Sequence, residues 1–245
     1  MEQRERLCDE IAAHKALVSP ARRMPRDIMQ EIFVACLPTD RNPVMASAEA
    51  PILLGHLCNA WMHISLSTPR LWSSLHIVIP ANAERAKQLS ELVKIWPGRS
   101  VGLPLSITVV LSHTFNESMS ATDIFATLKT FSRRWKNIQF PLALATESLL
   151  ELLSQIPMED LPMLKNILLC SWVKDPTTAQ LPIPILETPS LRSASIKLFG
   201  YSFVLPAQWY SLEELHLNTG NRSGRSLGFS TGDGPATRHA VTCLD

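Results

Sequence analysis

Charge is scarce in this chain. Charged residues make up 18% of its 245 positions, below the roughly 25% of an ordinary soluble domain. The 23 Lys+Arg against 22 Asp+Glu leave a formal net charge of +1, so holding a nucleic-acid backbone would need a strong local basic patch. None stands out. Glycine is scarce too, at 9 against 18 prolines, while 46% of the residues are hydrophobic; that balance excludes a collagen-like or disordered chain. No run approaches the ~18 uncharged apolar residues that a membrane span needs. The first eighteen residues also lack the apolar stretch of a secretory signal, which makes Asn116-Glu117-Ser118 and Asn221-Arg222-Ser223 chance matches to the glycosylation pattern.

Cysteine pairing is missing as well. Cys8, Cys36, Cys58, Cys170 and Cys243 are odd in number and contain no Cys-x-x-Cys. Three of them sit in apolar runs where a thiol acts as a small hydrophobe, so the expectation is a reducing compartment, cytoplasmic or nuclear.

Catalytic motifs are equally absent: the chain has no HExxH, no G-x-S-x-G, no P-loop and no GxGxxG. His56 and Cys58 lie two apart on an expected apolar helix and point about 200° away from each other, a poor start for a metal site. The pairs Asp9-Glu10, Glu159-Asp160 and Glu213-Glu214 are adjacent, so their carboxylates face different directions and make poor acid/base dyads. Arg133-Arg134-Trp135 has the ingredients of a phosphate contact, but Trp135 falls on an apolar strand position. The chain reads as non-catalytic, with no cofactor and no metal.

What is present is periodicity. Leu7, Ile11, His14 and Val18 follow at spacings of four, three and four; residues 1–19 therefore form either a short amphipathic helix on their own domain or the tail of a coiled coil. Ser19-Pro20 ends it. From Met24, a proline at a helix start, Asp27 in the first turn and apolar residues at 28, 32, 33 and 36 predict one amphipathic helix. Residues 38–51 hold three prolines and read as a loop, and Ile52 to Trp61 reads as a second helix.

Beyond residue 71 an apolar-x-x-apolar-x-apolar template recurs. It appears in Trp72-x-x-Leu75-x-Ile77, Trp135-x-x-Ile138-x-Phe140, Leu164-x-x-Ile167-x-Leu169, Leu191-x-x-Ala194-x-Ile196 and Leu212-x-x-Leu215-x-Leu217, with Leu105-x-Ile107-x-Val109 as a sixth copy. Taking 75, 105, 138, 167, 194 and 215 as equivalent gives intervals of 30, 33, 29, 27 and 21, around the period of a leucine-rich repeat. Helical periods lie between the copies: Ala86 to Trp96, Ile124 to Phe131, and Leu149 to Ile156. The expected fold is α+β or α/β, a helical unit followed by an open strand-helix solenoid; a doubly wound sheet is the alternative. The polar residues alternating with the template, Ser74, His76, Ser106, Thr108, Asn137, Gln139, Asn166, Ser193, Ser195, Glu214 and His216, would form its recognition face. Residues 218–245 hold five of the nine glycines and read as a disordered tail after a shortened repeat array.

Met24-Pro25-x-Asp27-Ile28, Ile32-Phe33, Leu37, Leu57-Cys58-x-x-Trp61, Ile64 and Thr68-Pro69-Arg70-Leu71-Trp72-x-x-Leu75 together resemble an F-box, in detail the F-box proteins abundant in mushroom-forming (basidiomycete) fungi. The resemblance covers about fifty residues. Met24 stands where Leu is more usual, and the 38–51 loop is longer than in a generic F-box. The resemblance implies an F-box over 20–75 and a degenerate leucine-rich-repeat region over 76–217. It also implies docking on the Skp adaptor of a ubiquitin ligase, and through it on a cullin, with the repeats holding a protein substrate of unknown identity. Pro25, Ile28, Ile32, Phe33, Leu53, Leu54 and Leu57 are the expected partner contacts. Met24, Cys58, Trp61, Leu71 and Trp72 are the expected F-box core. The other readings are a protein-binding scaffold outside any ligase and a shortened, poorly folded product.

Overall fold

The first seventy residues are helical where apolar spacing is three and four, and stop where prolines crowd. The computed structural model describes residues 2–17, 23–111, 119–140, 153–172, 184–199, 211–218 and 240–243. Its helical part comprises α1 (Glu2–Leu17), α2 (Arg26–Ala35), α3 (Ile52–Leu57) and α4 (Asn59–Leu66), closed by a single 3-10 turn over Pro69–Trp72. Pro25 precedes α2 and Asp27 lies in its first turn, where a carboxylate meets the positive end of the helix dipole. Met29 and Phe33 face inward on α2.

The run expected as one helix from Ile52 to Trp61 is two. Cys58 sits between them in a fully extended conformation (φ −165°, ψ 165°), and its carbonyl accepts from the Met62 amide at 2.9 Å. Cys58 starts α4 and does not continue α3.

Among the described residues seven strands follow: β1 (Ser74–Ile79), β2 (Leu105–Leu111), β3 (Trp135–Phe140), β4 (Asn166–Trp172), β5 (Ser193–Phe199), β6 (Glu214–Asn218) and β7 (Ala240–Cys243). Each pairs in parallel with the next in chain order. A doubly wound sheet would reverse its order at a switch point; this one does not, and the protein is mixed α/β with an open, all-parallel sheet. β7 lies inside the segment expected to be disordered, and it pairs Leu215 with Val241. Residues 219–239 lie outside the described residues.

The register aligns the repeated template in rows. Leu75, Ile107, Ile138, Ile167, Ala194, Leu215 and Val241 stand side by side, at intervals of 32, 31, 29, 27, 21 and 26. Ile107, and not Leu105, is the equivalent of Leu75. Leu105 stands opposite Trp135 but Ser106 stands opposite Asn137, so β3 carries one extra residue, Lys136, at a local irregularity that spacing alone hides. The template positions are the core: Leu75, Ile77, Ile107, Val109, Ile138, Phe140, Ile167, Leu169, Ala194 and Ile196 are all buried.

Helices cover the first two intervals. α5 (Ala83–Arg99) and α6 (Met119–Lys129) pack Val93, Trp96, Ile124 and Leu128 into this core. The later covers among the described residues include the 3-10 turns Met158–Asp160 and Pro184–Glu187, with Ile185 and Leu186 buried. The helical period expected over 149–156 lies mostly outside the described residues, although Leu153 and Ile156 are buried.

Residues 38–51 are a fitted edge piece. Val44 bridges to His76 in parallel and the Pro43 carbonyl accepts from the His76 amide at 2.7 Å, which satisfies part of an otherwise open sheet edge. Arg41 pairs with Glu49, and Glu49 also accepts from the Val44 amide at 2.8 Å.

Candidate functional site

Two surfaces stand out, one apolar on the helical unit and one polar on the sheet. On the helical unit each of three helices presents an exposed apolar pair four residues apart: Ile28 (47%) and Ile32 (39%) on α2, Leu53 (39%) and Leu57 (58%) on α3, Met62 (37%) and Leu66 (41%) on α4. Four residues is about one helical turn, so each pair shares a face of its helix. The pair on α4 has the same four-residue spacing in the sequence, Met62 to Leu66, as the other two.

The remaining expected contacts divide. Pro25 is exposed. Phe33 is fully buried, with its ring 5.0 Å from that of Trp61, and Leu54 is buried at 5% exposure; both are core and neither offers a surface. The apolar residues of α2 span a wide arc with two candidate inner faces; packing buries Met29 and Phe33, Phe33 against Trp61.

Among the expected core residues, Leu71 and Trp72 are buried, and Met24 and Trp61 are partly buried against the core. Cys58 is exposed, which corrects its expected place as the buried neighbour of Trp61. An extended residue joining two helices projects its side chain on neither helix's inner face. Trp72 joins the two parts of the fold. Its indole N–H donates to the Ser65 carbonyl at 2.9 Å, its ring meets Trp96 edge-on at 4.7 Å, and the Arg99 guanidinium lies 4.4 Å from its centroid.

The polar surface is the face of the sheet turned from the core. One row runs Ser74, Ser106, Asn137, Asn166, Ser193 and Glu214, and the next runs His76, Thr108, Gln139, Leu168, Ser195 and His216. Parallel sheets ordinarily have both faces covered; in this one, Gln139, Asn166 and Glu214 are exposed and the other residues of the first row half-buried, whereas Thr108, expected on the recognition face, is buried between Asn42 and Gln139. Side chains link along the rows. Asn166 donates to Asn137 at 2.6 Å, Asn137 to Ser106 at 2.7 Å, Thr108 to Gln139 at 3.1 Å and Ser193 to Glu214 at 3.2 Å. From the edge piece, Asn42 donates to Thr108 at 2.9 Å.

Charge on this face is sparse. Partial burial, and then the Arg41 cation, hold the His76 imidazole below its ordinary pKa against the opposing pull of Glu49. The hydrogen bond from Arg41 holds the Glu49 carboxyl below the usual range, assisted by the Val44 amide and opposed by burial. Burial raises the Cys170 thiol, with Lys197 opposing.

The basic pair of the sequence reading splits. Arg133 pairs with Asp160 at 2.9 Å. Arg134 turns inward to the Pro97 carbonyl at 3.1 Å, the Leu103 carbonyl at 2.8 Å and the Ser100 hydroxyl, closing the end of α5, and burial lowers its pKa. Trp135 beside them is core, and its buried indole N–H has no partner among the described residues. Trp135 borders a cavity of about 10 Å³ that is otherwise lined by Phe125, Leu128, Lys129, Phe140, Leu153 and Ile156, room for a water at most.

Among the described residues no group of three or more His, Cys, Asp or Glu could hold a metal ion, and no helix is long and apolar enough to cross a membrane. Compared with known proteins, the chain matches no family model, no curated protein and no solved structure.

Proposed function

We propose that the protein is a non-catalytic substrate receptor of an SCF-type ubiquitin ligase, in which the helical unit docks on the Skp adaptor and the sheet holds the target protein. The observation that carries this reading is the set of exposed apolar pairs Ile28/Ile32, Leu53/Leu57 and Met62/Leu66 on a small helical unit whose motifs resemble an F-box. Large side chains left open in pairs on adjoining short helices favour a protein partner. Burying each is worth roughly 1.5–3 kcal/mol, so four or five anchors support an interface of ordinary size after the association cost.

The sheet supports the second half of the reading. Sequential parallel strands suit an open leucine-rich-repeat-like solenoid, and the exposed and half-buried Ser, Asn and Gln of its outer rows offer donors and acceptors to a polypeptide without a strong field of either sign. Work in the cytoplasm or nucleus follows from the ligase.

The test is co-purification with the Skp adaptor and a cullin, comparing the wild-type chain with a variant carrying Ile28→Asp and Ile32→Asp. Capture by wild type and loss in a still-folded variant supports the reading; a folded wild type that captures no adaptor overturns it. A scaffold outside any ligase is favoured by the polar rows taken alone, and predicts a partner whose binding survives both substitutions but falls with Asn137→Ala and Asn166→Ala.

A further inference from the structure

The sequence scatters its basic residues, and the register gathers three of them. In three successive copies of the template the residue after the leading apolar one is a cation: Trp135-Lys136-Asn137-Ile138, Leu164-Lys165-Asn166-Ile167 and Leu191-Arg192-Ser193-Ala194. The Lys165 amide donates to the Lys136 carbonyl at 2.8 Å, and the Arg192 amide to the Lys165 carbonyl at 2.8 Å. The three are therefore direct neighbours at the start of β3, β4 and β5, their backbones spanning about 10 Å at the usual strand spacing. All three are exposed, while the apolar residues that bracket each copy are buried. Arg192 donates to the Ser211 carbonyl at 2.8 Å and lies 3.6 Å from Glu213, and Asp160, on the turn before β4, is held by Arg133. Among the described residues that leaves Lys136 and Lys165 with no acidic partner. Like charges on neighbouring strands repel, and an anionic partner laid across them removes that cost.

We infer that this partner is an acidic polypeptide segment, lying across the start of β3 to β5 with its Asp or Glu carboxylates along Lys136, Lys165 and Arg192. Immediately beside this rim stand the carboxamides of Asn137 and Asn166. Each uses one side-chain N–H within the row, to Ser106 and to Asn137 respectively, and has a second for a backbone carbonyl of the segment. Glu213 and Glu214 follow at β6, so the cationic stretch ends there and the segment's acids are repelled from that side. The rim and the two rows beside it contain no Phe, Tyr or Trp on which bases could stack, which disfavours a single-stranded nucleic acid. The inference rests on the proposed reading of the sheet as the target surface, and not on docking by the helical unit.

Fluorescence anisotropy on the full chain is the test, with a labelled peptide of alternating Glu and Ser and its counterpart carrying Gln for Glu. The wild type should bind the first and not the second, more weakly as salt rises. Lys136→Glu with Lys165→Glu should weaken binding at least about tenfold. Arg85→Glu with Lys87→Glu makes the same change in net charge at exposed positions on α5, which covers the other face of the sheet, and should alter binding by about twofold or less. Circular dichroism and adaptor capture should be unchanged in both double variants. A wild type that captures the adaptor but binds no Glu peptide at low salt overturns this inference and leaves the ligase reading standing; one that binds the peptide as described and captures no adaptor does the reverse. Equal losses in the two double variants overturn the inference by assigning binding to overall charge, and so does tighter binding of an oligothymidylate of matched charge.

Discussion

The indole N–H of Trp72 donates to the carbonyl oxygen of Ser65 at 2.9 Å while the same ring lies edge-on to Trp96, 4.7 Å between centroids. Ser65 belongs to the last turn of α4 and Trp96 to α5, so one side chain ties the helical unit to the helix that covers the first strands. The hydrogen bond satisfies the one polar atom of a ring that is 2% exposed. Any relative rotation of the two parts would break it.

Replacing Trp72 with alanine should therefore cost about 3–5 kcal/mol. Trp72→Phe should cost less, since most of the ring is kept and only the donor is lost. Urea denaturation monitored by circular dichroism checks both values, and equal costs would mean that the ring is not held at the junction as described.

On α2, side chains one position apart should behave oppositely. Ile32→Asp replaces an exposed residue and should change stability by about 0.5 kcal/mol or less. Phe33→Asp buries a charge against Trp61 and should unfold the helical unit. Thermal melts of the two variants, read beside adaptor capture, separate loss of a contact from loss of the fold.

Arg134→Lys should destabilise by roughly 1.5–3 kcal/mol, because a single ammonium cannot reach the Pro97, Leu103 and Ser100 oxygens that the guanidinium fork serves together. Arg133→Lys, on an exposed pair with Asp160, should be nearly silent. Equal midpoints in chemical denaturation for the two variants would contradict the inward placement of Arg134.

Acid should loosen the edge piece in two stages. His76 is held below its ordinary pKa, so the unfolded chain takes up that proton first, and stability falls as pH drops through about 6.5 toward the folded value. Glu49 is also depressed; its contribution is complete above the ordinary glutamate value of about 4.3 and is lost as pH falls through the lower folded value. Thermal midpoints measured from neutral to acid pH should show the lower step in wild type and not in Glu49→Gln.

The amide row should matter more to binding than to folding. Asn137→Ala removes a donor to Ser106 and an acceptor for Asn166, groups open enough to turn to water, so the cost should stay near 1 kcal/mol or below. A target held by the sheet should bind more weakly to this variant at unchanged melting temperature.

The sequence by itself determined which residues build β1 to β6, though not β7. An apolar-x-x-apolar-x-apolar template returning at near-regular intervals can bury its apolar members only by stacking the copies, and period-two alternation forces the polar members onto the opposite face. It also determined where α2 begins, through Pro25 and Asp27, and that loop follows. What only the tertiary structure decided is which of several apolar residues on a short helix go inside. Ile28, Met29, Ile32 and Phe33 are alike in hydrophobicity; packing against the rest of the core, with Phe33 on the Trp61 ring, takes Met29 and Phe33 inside and leaves Ile28 and Ile32 to solvent. The pairing of Ile107 with Leu75 and the inward turn of Arg134 have the same cause. Each is settled by a neighbour distant in sequence, and no local propensity or spacing carries that information.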